Sequence, residues 1–123
     1  MGVCGDKILI LDDEEGLRYI VTEELRSIGY DAYGMSSKAD GLEWISEHKP
    51  DLVITDINSP DLNGFEFLSL LRADAAISHT KVIVVSGLNV PDEVAEADGI
   101  LDYLTKPYQL DVLLGVIKEA LSN

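Results

Sequence analysis

The sequence predicts an α/β fold in which helices cover both faces of a parallel β-sheet. Short aliphatic runs alternate with longer segments whose apolar residues recur at helical spacing, and each kind occurs five times in strict order. The first of these runs is continuously apolar, as expected for a strand buried on both faces. The chain has 123 residues, of which 46% are hydrophobic and 26% are charged. We therefore expect residues 1–123 to form one globular domain.

The first two strands and two helices are predicted in the first half of the chain. Lys7–Leu11 is a continuous apolar strand bounded by charges, and the amphipathic helix that follows ends at Gly29. A second strand is predicted at Tyr30–Tyr33. Ser36 or Ser37 can cap the second helix, because a serine hydroxyl accepts a hydrogen bond from a free N–H of the first turn.

The second half repeats the pattern three times. A third strand is predicted at Asp51–Thr55, with a helix beginning at Phe65 after a loop rich in turn formers. Lys81–Val85 is rich in β-branched residues and predicts a fourth strand. A short fourth helix is predicted within 88–98 and a fifth strand within 99–105. The fifth helix has the clearest apolar face, formed by Leu110, Leu113, Leu114, Ile117 and Leu121.

Chemically useful side chains follow the predicted strands where each strand ends. They are Asp12, Asp13, Asp56, Ser86 and Lys106. In a doubly wound sheet the carboxyl ends of the strands share one edge, and ligands bind there. Carboxylates a few ångströms apart repel by roughly 4 kcal/mol per pair near a surface, so a proton or a cation must offset the repulsion. Hard oxygen ligands completed by water suit Mg²⁺, and the pattern brings no His or Cys close for zinc.

A bound Mg²⁺ would make this edge attractive to a phosphoryl group. The Lys106 ammonium and the Ser86 hydroxyl would contact the phosphoryl oxygens. Asp56 follows the central strand and precedes a loop, so its carboxylate is the candidate nucleophile.

Composition excludes several other classes. A net charge of −14 disfavours direct contact with nucleic acid, because both partners would be anionic. No apolar run is long enough to span a membrane, and the N-terminal residues lack the features of a signal peptide. A single cysteine cannot form an internal disulfide. We therefore expect a cytoplasmic protein.

Four segments together resemble a known family over essentially the whole chain. They are 8–14, 56–64 with its Pro60, 84–87, and 102–108 with its Lys-Pro step. In this order and at this spacing the sequence is similar to the receiver domain of response regulators in two-component systems, in particular the chemotaxis-type single-domain receivers. The resemblance implies a flavodoxin-like (βα)5 fold with strand order 2-1-3-4-5.

The resemblance also implies roles for individual residues. Asp56 would be the phosphoacceptor, Asp13 a direct ligand of Mg²⁺, and Asp12 a ligand acting mainly through water. The backbone carbonyl of Asn58 would complete the protein ligands.

Three further residues would hold and report the phosphoryl group. Ser86 would move its hydroxyl onto that group, Lys106 would pair with it, and Tyr103 would change rotamer on activation.

As a receiver, the chain would take its phosphoryl group from a histidine kinase or a histidine phosphotransfer protein. It would catalyse only its own phosphorylation and dephosphorylation. It would signal to a downstream protein through the face formed by the fourth helix, the fifth strand and the fifth helix.

Other functions remain open at this stage. The chain could equally be a receiver excised from a hybrid histidine kinase or a larger response regulator. A phosphatase of the haloacid dehalogenase type needs a second Asp two positions after the first, where Glu14 stands. A nucleotide-binding flavodoxin-like protein would need a phosphate-binding loop where Asp12 and Asp13 stand. A degenerate receiver that binds partners without phosphorylation is the last alternative.

Overall fold

The computed structural model describes residues 6–56, 64–78, 80–86, 100–105 and 109–122. Strands and helices follow one another as β1 (Lys7–Leu11), α1 (Glu15–Ser27), β2 (Asp31–Met35), α2 (Lys38–His48), β3 (Leu52–Asp56), α3 (Gly64–Ala73), β4 (Lys81–Ser86), β5 (Ile100–Thr105) and α4 (Leu110–Leu121). Helix α4 is the fifth helix of the sequence prediction. The short helix predicted within 88–98 lies outside the described residues.

All five strands are parallel and form one sheet in the order β2-β1-β3-β4-β5. The doubly wound fold and the strand order predicted from the sequence are therefore confirmed. The chain order reverses between the neighbouring strands β1 and β3, which makes their carboxyl ends the point where a ligand crevice opens in such sheets. Within this pair Leu11 lies opposite Thr55.

Alternate residues of the strands pack into two hydrophobic cores, one on each face of the sheet. The first core packs strand residues such as Ile10, Ile54 and Val85 against α1 and α4, through Leu25, Leu113 and Ile117 among others. The second core packs the alternate residues, including Leu11, Val53 and Val84, against α2 and α3, through Ile45, Phe67 and Leu71 among others. Burial on both faces explains why the inner strands β1, β3 and β4 are mostly continuous apolar runs.

Strands β2, β3 and β4 end one or two residues later than predicted, and the predicted starts of β2 and β3 are wrong for reasons that hydrogen bonds give. Tyr30 was predicted to open the second strand, but its N–H donates to the Leu25 carbonyl and so completes the end of α1. Strand β2 instead begins at Asp31. Asp51 was predicted to open the third strand, but it lies before β3, where its carboxylate accepts a hydrogen bond from the Lys7 N–H at 2.8 Å.

Helix ends follow the predicted chemistry more closely. Gly29 directly follows the end of α1 with φ 108°, a left-handed conformation that glycine adopts without steric cost. Ser37 caps α2, its hydroxyl accepting the Asp40 N–H at 3.2 Å. Within the described ranges, no helix combines the length and apolar character that a membrane crossing requires.

Candidate functional site

The carboxyl ends of β1 and β3 bring three aspartates together. Asp12 directly follows β1 and Asp56 is the last residue of β3. Because Leu11 lies opposite Thr55 on adjacent strands, the next residue of each strand is also a neighbour. Asp13 joins them from the turn into α1. One carboxylate oxygen from each aspartate lies within 4.8 Å of the other two, and we call this group the acid cluster.

Hydrogen bonds fix the backbone of the turn that carries two of these acids. The Asp12 N–H donates to the Met35 carbonyl at 3.2 Å and continues the sheet ladder by one residue. Asp12 Oδ1 accepts the Glu14 N–H at 2.9 Å, which closes the turn before α1. Arg18 reaches back from α1, and its Nη1 donates to the Asp12 carbonyl at 2.7 Å. The turn is therefore held from the strand side and from the helix side.

The acid cluster is partly withdrawn from water. The exposed fractions of Asp12 and Asp56 are 7% and 8%, whereas Asp13 is exposed. Two unit charges 4.8 Å apart repel by about 3.5 kcal/mol at an effective dielectric constant of about 20. Three carboxylates this close therefore attract a positive charge to this edge of the sheet.

The donor set of the acid cluster fits Mg²⁺. All three donors are hard carboxylate oxygens, the type that this ion prefers. Opposite ligands bound directly at 2.0–2.1 Å span about 4.2 Å. The cluster oxygens lie within 4.8 Å of one another, which is close enough for the three acids to share one ion directly or through water. An ion with few protein ligands and several waters is the usual arrangement for Mg²⁺.

The remaining predicted residues are described in part. Asp56 lies opposite Val85, and the next residue of β4, Ser86, lies opposite Thr105. Tyr103 lies in β5 opposite Val84. The backbone thus places Ser86 at the same edge as the acid cluster. The side chains of Ser86 and Tyr103, and the whole of Asn58 and Lys106, lie outside the described part of the structure, so their predicted roles stay predictions.

Sequence reasoning missed Arg18. An arginine in the second turn of an amphipathic helix reads as a solvated charge, and only the turn geometry reveals its bond to the Asp12 carbonyl. The signal that could have found it is its position six residues after Asp12, within reach of the turn once the helix forms.

Comparison with known proteins agrees with this fold and site. A family model described as the response regulator receiver domain matches residues 8–118. The chain therefore belongs to the receiver domain family of response regulators. Receiver domains are the phosphoacceptor signalling modules of two-component and phosphorelay systems, which confirms the class predicted from the sequence. The match gives no support to the phosphatase alternative.

Individual relatives differ in how much of their length this chain covers. Protein PilH of Pseudomonas aeruginosa is 36% identical over 119 residues, which are 95% of this chain and 98% of PilH. The DNA-binding transcriptional regulator NtrC of Rhizobium meliloti is 36% identical over 123 residues, but these make up only 25% of NtrC. Among solved structures, the response regulator receiver domain protein of Clostridium thermocellum is 30% identical, with a TM-score of 0.83 and 94% of both chains covered.

Proposed function

We propose that residues 1–123 form one receiver domain that accepts a phosphoryl group on Asp56 with the help of Mg²⁺ held by the acid cluster. The observation that supports this most is the approach of the Asp12, Asp13 and Asp56 carboxylates to within 4.8 Å at the carboxyl edge of the sheet. Asp13 and Asp56 would hold the ion directly, Asp12 would hold it mainly through water, and the Asn58 carbonyl would complete the protein ligands.

The chemistry follows from what these residues can hold. An Asp56 carboxylate oxygen attacks phosphorus, the bond from phosphorus to the donor's histidine nitrogen breaks, and the released imidazole keeps the electron pair. When bound, Mg²⁺ supplies positive charge to the acid cluster and to the phosphoryl oxygens. Ser86 and Lys106 bind those oxygens as the group arrives.

The same site also removes the phosphoryl group from Asp56. Water attacking the phosphoryl group of Asp56 regenerates the free carboxylate, so the domain catalyses only its own phosphorylation and dephosphorylation.

Two surfaces suit the protein partners of such a domain. Tyr19 and Ile20 are 66% and 56% exposed in the second turn of α1, close after Asp13. Exposed apolar side chains beside a reactive site mark a contact surface, and we assign it to the phosphohistidine donor, a histidine kinase or a histidine phosphotransfer protein. We assign the downstream protein to the face that includes β5 and α4, where Val112 is 46% exposed. Tyr103 links this face to the site by changing rotamer when Ser86 binds the phosphoryl group. We infer a cytoplasmic location from these proposed protein partners.

Mass spectrometry of the intact protein tests this proposal. We expect acetyl phosphate to add one phosphoryl group to the wild type when Mg²⁺ is present, and none after a chelator removes it. Asp56→Asn should take up no phosphate. Asp51→Asn, the same substitution beside the opposite end of β3, is the matched control and should react like the wild type. Equal phosphorylation of Asp56→Asn and the wild type would refute the assignment.

A further inference from the structure

One arginine touches the acid cluster through the backbone without joining it. Arg18 Nη1 donates to the main-chain carbonyl of Asp12 at 2.7 Å, the distance of a strong charge-assisted hydrogen bond. Asp12 is one of the three acids, and its neighbour Asp13 is another. The bond therefore acts on the peptide group that joins two proposed metal ligands.

The start of α1 has no hydrogen bond from the side chain of its N-cap residue, Glu14. A side-chain cap usually fixes the angle at which the chain enters a helix. Here a side chain from the second turn of the helix reaches back to the end of the strand instead. The turn of residues 12–14 is thus clamped between β1 and α1.

The edge strand β2 leaves space for the Arg18 side chain to reach the turn. A Cβ atom placed on Gly34 would come within 3.0 Å of Arg18 Cγ and 2.9 Å of Thr22 Oγ1. Any larger residue at position 34 would push against the stem of Arg18. Glycine on β2 therefore leaves the path along which the arginine crosses to the turn.

We propose that Arg18 is a positioning residue for the metal-binding and phosphoryl-accepting site. Its hydrogen bond to the Asp12 carbonyl holds the turn so that the carboxylates of Asp12 and Asp13 stay close to Asp56. This inference rests on the proposed function, because it concerns the same Mg²⁺.

The direction in which Mg²⁺ affinity changes when Arg18 is removed distinguishes a positioning role from a purely electrostatic one. A guanidinium beside the acid cluster repels a divalent cation, so charge alone predicts that removing Arg18 tightens Mg²⁺ binding. Loss of positioning predicts weaker binding, because the two ligands on the turn become less well oriented. Losing a group that orients a metal ligand commonly weakens metal affinity by about 10-fold or more.

Arg26 provides a matched control on the same helix. Its Nε donates to the Ala32 carbonyl at 2.9 Å, so it also ties α1 to a strand through a backbone bond. It lies two turns further along α1 and pairs with Glu23 at 3.0 Å. Removing Arg26 should also remove one positive charge and one hydrogen bond between α1 and a strand. It should leave the turn of residues 12–14 intact.

Calorimetric titration of the metal-free full chain with Mg²⁺ tests the inference, with amide NMR spectra to establish that each variant is folded. We expect Arg18→Ala to raise the Kd for Mg²⁺ about 10-fold, and Arg26→Ala to leave it at the wild-type value. Arg18→Lys, which keeps a charged donor, should restore most of the affinity. If Arg18→Ala does not fold, Arg18→Met takes its place with the same expected loss, because methionine keeps the apolar stem and has no hydrogen-bond donor.

The outcomes distinguish this inference from the proposed function. Wild-type affinity or tighter binding in Arg18→Ala would overturn the positioning role, while the wild type itself still bound Mg²⁺. An equal loss in Arg26→Ala would also overturn it, because the effect would then be general to α1. A wild type that does not bind Mg²⁺ at all would overturn the proposed function instead.

Discussion

Replacing Asp56 by asparagine should stabilise the metal-free protein, although it removes the proposed phosphoacceptor. Asparagine keeps the shape of the side chain and removes its charge. The substitution eliminates two of the three repulsions in the acid cluster, each about 3.5 kcal/mol at a separation of 4.8 Å and an effective dielectric constant of about 20. Solvent around the exposed Asp13 screens one of them strongly. Screening, and the loss of any hydrogen bond that the Asp56 carboxylate makes, reduce this gain. The net stabilisation should be about 1–3 kcal/mol.

The assay is thermal unfolding with and without Mg²⁺. In chelator, a gain of 1–3 kcal/mol should raise the Tm of Asp56→Asn by about 4–12 °C above the wild type. Mg²⁺ at ten times its Kd should stabilise the wild type by about 1.4 kcal/mol, because it binds only the folded state. Asp56→Asn should gain much less from the ion. Asp51→Asn, at the other end of β3, should show no stabilisation of this kind.

Two results would refute this reasoning. A lower unfolding free energy of Asp56→Asn in chelator would mean that repulsion among the three acids is not a significant cost. An equal response of Asp56→Asn and the wild type to Mg²⁺ would mean that Asp56 is not part of the metal site.

Three further predictions concern packing, ionisation and the donor surface. Gly41→Ala should lower the unfolding free energy by about 1–3 kcal/mol, because its Cβ would lie 2.7 Å from Leu11 Cδ2 in a packed core; chemical denaturation should show no such loss for Gly115→Ala, whose Cβ meets nothing within 4 Å. A hydrogen bond to Asp31, and to a lesser extent desolvation, raises the pKa of Tyr33 above its ordinary value of 10.0. The folded state therefore keeps this proton to higher pH than the unfolded state, and the free energy of unfolding should fall as pH rises above 10.0. A spectrophotometric titration should find a lower Tyr33 pKa in Asp31→Asn, and an unchanged pKa would contradict the assigned cause. Ile20→Ser should slow phosphoryl transfer from a protein donor but not from acetyl phosphate; Ile28→Ser, equally exposed at the far end of α1, should slow neither, and a loss with acetyl phosphate would count against a docking role.

The architecture was predictable because each core strand carries its own signal. Lys7–Leu11 and Lys81–Val85 are buried on both faces, and this burial produces the unbroken apolar runs that the sequence displays. The edge strand β2 carries a weaker signal, since Gly34 and Met35 are not a strand pattern. Its predicted start was wrong because the Tyr30 N–H completes the preceding helix, in the C-terminal motif that Gly29 forms.

The acid cluster was predictable for a related reason. Asp12 and Asp56 each follow a buried strand, and a parallel sheet brings such positions to one edge. Side chains that act from a helix were not predictable in this way. Arg18 reads as a surface charge, and Lys38 reads the same although only 1% of it is exposed. Long cationic side chains are usually solvated, so composition gives no warning when one is buried or bonded to backbone.

The central claim is that Asp56 accepts phosphorus at a Mg²⁺ site built from three neighbouring carboxylates. The most direct measurement is to phosphorylate the wild type with acetyl phosphate and Mg²⁺, reduce the product with borohydride, and sequence its peptides by tandem mass spectrometry. Borohydride converts a phosphorylated aspartate to homoserine, so the modified position is marked permanently. We expect homoserine at position 56, and only when Mg²⁺ is present. Homoserine at another aspartate, or at position 56 equally without the ion, would contradict it.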